Sequence, residues 1–316
     1  MDGTERMTLQ QLRYFMAVAE TRHFTRAAEL AGVAQPSLSK QIQSLEGELG
    51  APLFSRVRGN IGLTPAGEAL LPIARRILTD VDTARLEVGE LVGLRRGRVR
   101  VGATPSLCVS VFADVLRRFH HAYPGVRLLV EEGGSGDLAK ALVRGELDLA
   151  LIIVPSESTD PALSATTVLQ EDLVVASSAE LPRPGRRAQL RLTDLRDKPM
   201  VMFRQGYDLR ETTLQACRAA GFEPRLAVEG GEMDAVLRFV EAGLGIAIVP
   251  SMVLTGRPAL RGTPLVEPGL RRTIALAHRA DVTPTHAAWA FRETLLDFLA
   301  GKPSGNVRPA SRSSPS

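Results

Sequence analysis

Residues 24 to 54, FTRAAELAGVAQPSLSKQIQSLEGELGAPLF, constrain the fold most: two short helical patterns are separated by a turn of only Gly32, Val33 and Ala34. Ala27, Ala28, Leu30 and Ala31 form one apolar stripe of the first pattern, Thr25 is placed to cap its start, and Gly32 ends it where a left-handed backbone is needed. In the second pattern Pro36 suits a first helical turn, and Leu38, Ile42, Leu45 and Leu49 recur at helical spacing, which predicts a buried stripe. Gln35, Ser37, Ser39, Lys40, Gln41, Gln43 and Ser44 are left outside, with no acidic residue on this face before Glu46. Such side chains can donate and accept hydrogen bonds at the base edges and phosphates of DNA. An ordinary helix hairpin with a solvated face has the same pattern.

The following residues favour the first reading. Pro52, Leu53 and Phe54 lead into SRVRGNIGLT, where Gly59 and Asn60 supply turn chemistry and Arg56 and Arg58 stand just before the turn, a pattern that predicts a wing with two guanidinium groups. Thr64 caps a new helix beginning at Pro65, with Glu68 in its first turn where the helix dipole favours an acid. The stretch resembles the N-terminal winged helix-turn-helix of LysR-type transcriptional regulators. The matching residues are Leu12, Phe15, Val18, Phe24, Thr25, Ala27, Ala28, the QPSLSKQI run, Leu45, Glu46, Leu49, Gly50, Leu53, Phe54, Arg56, Leu63, Thr64, Ala66 and Gly67. With the outer face, the resemblance implies that Gln35, Pro36, Ser37, Ser39, Lys40, Arg56 and Arg58 meet double-stranded promoter DNA. Gln35, Ser37 and Ser39 are expected at base edges, Lys40 at phosphate or guanine, and Arg56 at the backbone or minor groove.

From Ala66 to about Leu94 one long helix is expected. Leu70, Ile73, Ile77, Val81, Ala84, Val88 and Leu91 repeat at spacings of three and four, close to the 3.5-residue period of a helix pair, and read as a dimerisation seam. A helix packed on its own domain is the plainer alternative. The resemblance implies a linker helix that pairs two DNA-binding heads, with a dimer of dimers as the fuller assembly. Arg95, Arg96, Gly97 and Arg98 then read as a solvated hinge.

Residues 98 to 300 alternate strand and helix signals. RVRVGA (98–103), VRLLVEE (126–132) and LDLALIIV (147–154) flank helical stretches at 107–121 and 137–145. A second set follows: EDLVVAS (171–177), PMVMF (199–203), a helix near 208–220, PRLAVE (224–229), a helix near 232–242 and GIAIVP (245–250). RTIALAH (272–278) and a helix over 285–300 close the series. This order predicts a mostly parallel sheet covered on both faces, in two subdomains. It resembles the LysR-type effector domain, whose fold is that of periplasmic binding proteins. The expected organisation is a head over 1–65, a linker over 66–95 and a regulatory domain over 96–300, with subdomain I near 96–169 and 276–300 and subdomain II near 170–275. Pro, Ser and Arg dominate from Lys302 on, and a disordered tail is expected.

In an open α/β sheet ligands collect at the carboxyl ends of strands. Thr104 and Ser106 after the first strand, Ser135 in the Gly133–Gly136 loop, and Arg204 and Tyr207 after PMVMF are the candidate effector-binding residues. A small effector is expected, and Arg204 opposite the hydroxyls favours an anion such as a carboxylate.

Catalytic readings are poorly supported. Gly134, Gly136 and Ala139 meet the loose GxGxxA pattern, but the next strand ends in Ile153, Val154 and Pro155 without an acid for a ribose. The five histidines have no metal-ligand spacing, so neither a metal nor a cofactor is expected. Cys108, near a helix start where a dipole can lower its pKa, and Cys217 read as ordinary small apolar residues, with a thiol sensor as the alternative. Seven Lys or Arg stand against six Asp or Glu in residues 1–65, so positive charge must act locally. No apolar run reaches membrane-span length and no apolar signal core opens the sequence, which implies a cytoplasmic protein. The expected function is sequence-specific transcriptional regulation under a small effector. The alternative is a cytoplasmic solute-binding or enzymatic α/β protein with an accessory helical domain.

Overall fold

The computed structural model describes residues 7–57, 60–91, 97–154, 160–185, 187–301 and 307–309. The chain forms two compact units, one built from residues up to Gly93 and the other from Leu94 onward apart from Arg144–Glu146.

In the first unit α1 (Leu9–Thr21) opens with a capping box: the Thr8 hydroxyl accepts the Gln11 N–H while the Gln11 side chain accepts the Thr8 N–H. α2 (Phe24–Leu30) and α3 (Gln35–Leu49) are the two helices expected around the short turn, with Gly32 at φ +65°. β1 (Phe54–Val57) and β2 (Asn60–Leu63) pair antiparallel, and α4 (Pro65–Leu91) follows. Leu12, Phe15, Val18, Ala27, Ala28, Leu38, Ile42, Leu45 and Leu53 form the core.

Three local expectations change. His23, not Thr25, caps α2: the helix begins at Phe24, whose ring meets Phe54 edge-on at 5.7 Å, and the cap falls two residues earlier than expected. Leu30 is 72% exposed, since the core on that side of α2 is filled by Ala27 and Ala28. Leu49 is exposed as well, lying at the last residue of α3 beyond the reach of the core.

In the second unit β3 (Arg98–Ala103) leads through α5 (Pro105–Leu107) and a π turn (Cys108–Phe112) into α6 (Ala113–Ala122). β4 (Arg127–Glu132), α7 (Ser135–Val143) and β5 (Leu149–Val154) complete one parallel group, with β3 between β4 and β5. β6 (Leu163–Ser178) then runs 16 residues and belongs to both lobes. Beyond it lie β7 (Met200–Met202), α8 (Asp208–Ala219), β8 (Leu226–Glu229), α9 (Met233–Glu241), β9 (Ala247–Pro250) and β10 (Leu260–Pro264). β11 (Arg271–Arg279) returns to the first lobe, α10 (His286–Ala300) covers it, and β12 (Val307–Pro309) pairs with β6.

The sheet is mixed rather than mostly parallel. β11 is antiparallel to both β5 and β6, because β6 crosses out of the first lobe and β11 comes back beside it. In the second lobe β6 pairs antiparallel with β9 and β10, while β7 and β8 pair parallel. β6 therefore begins at Leu163, eight residues before the strand the sequence suggests, and β10 is an added edge strand ending at Pro264, where a missing N–H costs nothing. Within the tail, Val307–Pro309 form the short strand β12, antiparallel to β6 at Leu169–Glu171. Each lobe has its own core, one around Phe112, Phe119 and Phe291 and the other around Phe203, Val236 and Ile248.

Candidate functional site

The outer face of α3 carries Gln35, Pro36, Ser37 and Lys40 exposed and Ser39 half-buried, while Leu38, Ile42 and Leu45 face the core. Gln35 Nε2 donates to Ser39 Oγ at 2.8 Å, one helical turn on, so the amide is held along the helix rather than free to wander. Glu46, read from sequence as the first acid of this face and as one of the residues matching the family, has a structural task. Its Oε1 accepts the N–H groups of Leu53 at 2.7 Å and Phe54 at 3.3 Å, which ties the end of α3 to β1 and turns the charge away from the outer face. Thr64 accepts the Gly67 N–H at 3.1 Å and donates to the Pro52 carbonyl at 2.6 Å, clipping the start of α4 to the same loop. The backbone of Arg56 lies in β1 opposite Ile61; its side chain, and all of Arg58, fall outside the described residues.

Along α4 the seam residues divide. Leu70 and Ile77 are half-buried against the core of their own head, Val81 is half-buried, and Ile73, Ala84 and Val88 are exposed. The side chain of Leu91 is outside the described residues.

In the second unit the three loops singled out from sequence converge on one cleft of about 680 Å³, lined by Thr104, Ser106, Ser135, Arg204, Tyr207 and others. Strand ends place them there: Thr104 and Ser106 follow β3, Ser135 starts α7 after β4, and Arg204 and Tyr207 lie between β7 and α8. Ser135 Oγ accepts the Ile153 N–H at 3.0 Å and donates to Asp208 Oδ2 at 2.8 Å, so a single hydroxyl joins the two walls.

The cation that the sequence assigned to this cleft is differently arranged. Arg204 is half-exposed and bound by Glu232, at 2.8 Å from Nε and 2.7 Å from Nη2. The buried cation is Arg272, at the start of β11, whose Nε and Nη2 donate to Glu171 Oε2 at 3.0 and 2.7 Å and whose Nη1 donates to Ser106 Oγ at 2.7 Å. Glu171 is fully buried on β6 and its Oε1 accepts the Met252 N–H at 2.7 Å. Ser106 and Thr104 hydroxyls lie 3.3 Å apart, which makes a buried network across both crossing strands. Sequence reasoning missed Arg272 and Glu171 because they are 101 positions apart and read only as polar ends of strands.

Tyr207 is buried and stacked on Phe203 at 4.6 Å between centroids, and its hydroxyl has no hydrogen-bond partner. Burial raises its pKa well above the ordinary tyrosine value; Arg272 opposes this, and Glu232, Asp208 and Glu132 add to it, so the hydroxyl stays protonated.

The cysteines do not gain thiolate character. Burial, then the charge and hydrogen bond of Glu132, push the Cys108 thiol up to about 12, and burial with Glu223 pushes Cys217 up to about 11. Among the described residues no cluster of His, Cys, Asp and Glu is arranged to hold a metal ion, and no helix is long and apolar enough to cross a membrane.

Known proteins match both units. Residues 9–68 match the bacterial regulatory helix-turn-helix protein, lysR family, and residues 93–300 match the LysR substrate binding domain. The chain belongs to the LysR family of transcriptional regulators. It is 32% identical to the transcriptional dual regulator GltC of Bacillus subtilis, over 93% of this chain and 98% of that one. It is 36% identical to the HTH-type transcriptional regulator BudR of Raoultella terrigena, over 86% and 95%. Among solved structures, a full-length OxyR variant from Pseudomonas aeruginosa superposes with TM-score 0.72 at 27% identity, covering 98% of this chain and 99% of that one. Full-length CbnR complexed with its target DNA superposes with TM-score 0.69 at 26% identity, covering 92% and 100%. This LysR-type regulator is therefore not an enzyme, and the catalytic alternative falls.

Proposed function

We propose that this LysR-type regulator reads promoter DNA in the cytoplasm with α3 and the β1–β2 wing, as a self-assembled dimer or dimer of dimers, under control of a small molecule held in the cleft of residues 96–300. The division is a head over 1–65, a linker helix over 66–95 and a regulatory domain of two lobes. One observation carries the sensing half: three loops remote in sequence meet at one cleft whose walls are joined by the crossing strands and by the Ser135–Asp208 hydrogen bond. A ligand preferring one arrangement of the lobes shifts that arrangement's population, and only such a difference in affinity can reach the DNA.

The reading half rests on the outer face of α3. Gln35, Ser37 and Ser39 are at base edges, with Pro36 beside them, Lys40 is on phosphate or guanine, and Arg56 and Arg58 reach from the wing. Lys40→Ala is expected to weaken binding to specific and nonspecific DNA alike and to reduce the salt slope by about one charge, whereas Gln35→Ala costs roughly 1–3 kcal/mol mainly at its own base position. Fluorescence anisotropy titrations at several salt concentrations, with operator fragments found by genome-wide binding-site mapping, check this. Unchanged affinity in both variants removes α3 as the reading helix.

A further inference from the structure

The two lobes of the second unit are joined in two ways that differ in kind. On the crossing strands the join is buried. Arg272 of β11 and Glu171 of β6 hold each other there at 2.7 Å, with 6% and 0% of their side chains exposed. Apolar groups are exchanged as well: Val109, from the π turn of the first lobe, packs against the core of the second, and Met252, from the turn at Ser251–Leu254 after β9, packs against the core of the first. Drawing the lobes apart at these contacts would uncover apolar surface and strain bonds between buried charges, so this join is the fixed one.

Away from the crossing strands, among the described residues, one hydrogen bond spans the lobes. Ser135 Oγ, at the start of α7 in the first lobe, donates to Asp208 Oδ2, at the start of α8 in the second, at 2.8 Å. Both residues are half-buried and line the cleft. The Ser135 side chain is held from behind, because its Oγ accepts the Ile153 N–H of β5 at 3.0 Å, which leaves one proton to give. Asp208 is well placed to receive it, since the first turn of α8 favours a negative charge. The bond is therefore charge-assisted, which makes it one of the stronger kind. Being half-buried, it is broken at smaller cost than the fixed join.

Resting on the reading of this cleft as the effector site, we infer that the Ser135–Asp208 hydrogen bond is a latch: it holds the lobes closed in the ligand-free regulator, and its release is the event that changes the output. A hydroxyl with a single proton cannot donate fully to Asp208 and to a ligand together. A ligand oxygen that accepts this proton frees Asp208, and with it α8, so that binding and the latched arrangement exclude each other. This exclusion supplies the difference in affinity between two arrangements that a switch requires.

The test uses the full-length protein and no ligand. Spin labels at the exposed positions Lys140→Cys on α7 and Arg218→Cys on α8 report the distance between the lobes by pulsed electron spin resonance, with Cys108 and Cys217 replaced by alanine and labelled chain diluted into unlabelled chain. Asp208→Ala is expected to enrich a longer, broader distance population roughly tenfold, as loss of a hydrogen bond to a charged group does. Asp208→Asn keeps a carbonyl acceptor for the hydroxyl and should open the lobes less. Glu211→Ala removes an acid from the same turn of α8 and, among the described residues, no bond to the first lobe, so its distances should match the parent's. Asp208 is the position to vary, because Ser135→Ala would also strip the Ile153 N–H of its acceptor. In cells without added effector, Asp208→Ala should shift transcription from a promoter found by binding-site mapping away from the parent's level. If the distances of Asp208→Ala coincide with the parent's, or Glu211→Ala opens the lobes as far, the latch is overturned while the cleft keeps its reading as the effector site. If the lobes open and transcription does not change, release of the latch is not the signal and the cleft is not the regulatory site.

Discussion

Arg272 and Glu171 are the residues whose chemistry departs most from what their neighbours in sequence suggest. Both are buried, and the pair stands on the two strands that run between the lobes, so among the described residues each charge is compensated by the other and by Ser106 and Met252. Removing one partner leaves the other charged in a low-dielectric site, which typically costs about 3–5 kcal/mol, while removing both charges together is often close to neutral. Arg272→Met is therefore expected to destabilise the protein by about that amount. Glu171→Gln combined with Arg272→Met should recover most of the loss, since the introduced amide keeps a carbonyl acceptor for the Met252 N–H. Urea denaturation of the parent, both single variants and the double variant checks this. A double variant as unstable as the sum of the singles would mean that the pair does not act as a unit.

At the scale of elements, the head was the most legible part, because its information is local. Helical spacing and a three-residue turn place α2 and α3, and turn chemistry places β1 and β2. Two of the failures there share one cause: Leu30 and Leu49 continue the apolar spacing past the point where the core ends. In the second unit, β3, β4, β5 and β11 hold apolar runs and were readable, whereas the first half of β6, LSATTVLQ, mixes polar and apolar residues without strict alternation and is recognisable as a strand through its ladder with β11. The three cleft loops could be named from strand ends, but their electrostatics could not, because Glu232, Glu171 and Arg272 reach them from distant elements. Gly67 was legible as a family match and its physical reason is spatial. A Cβ built there would stand 2.2 Å from the carbonyl oxygen of Leu53 and 2.9 Å from the Leu63 side chain. The first turn of α4 can approach the loop before the wing only without a side chain at that position. Gly67→Ala is expected to cost about 2 kcal/mol or more by overpacking against backbone that cannot step aside. Chemical denaturation followed by circular dichroism measures it; a loss below about 0.5 kcal/mol, within the range of ordinary surface substitutions, would show that the loop yields.

At the scale of the whole molecule, the question is what covers the outer side of α4. Ile73 and Val88 are 48% and 61% exposed, and Ala84 lies exposed between them, while Leu70 and Ile77 are held by their own head. The seven-residue repeat read from sequence thus mixes two jobs: part of it fixes the helix to its head, and the rest has no partner within the described chain. A lone helix with apolar groups at that spacing gains by pairing with a second copy, and two paired heads account for the recognition of an interrupted inverted repeat. This division decides which substitution is informative. A charge at position 77 would also disturb the core of the head, so loss of DNA binding there would have two explanations. Ile73→Asp places the charge on the exposed side, four residues before that contact. It is expected to leave the melting temperature of the head within about 1 °C, as for surface changes of a few tenths of a kcal/mol. The same change should lower the mass measured by light scattering toward 34.0 kDa, the mass of one chain, and abolish tight operator binding. Double substitution with Val88→Asp should complete the dissociation if either change alone is partial. An unmutated protein that already elutes as a monomer at micromolar concentration, or a double variant that retains both its assembly and its operator affinity, would show that α4 is not the pairing element and that the heads are brought together elsewhere.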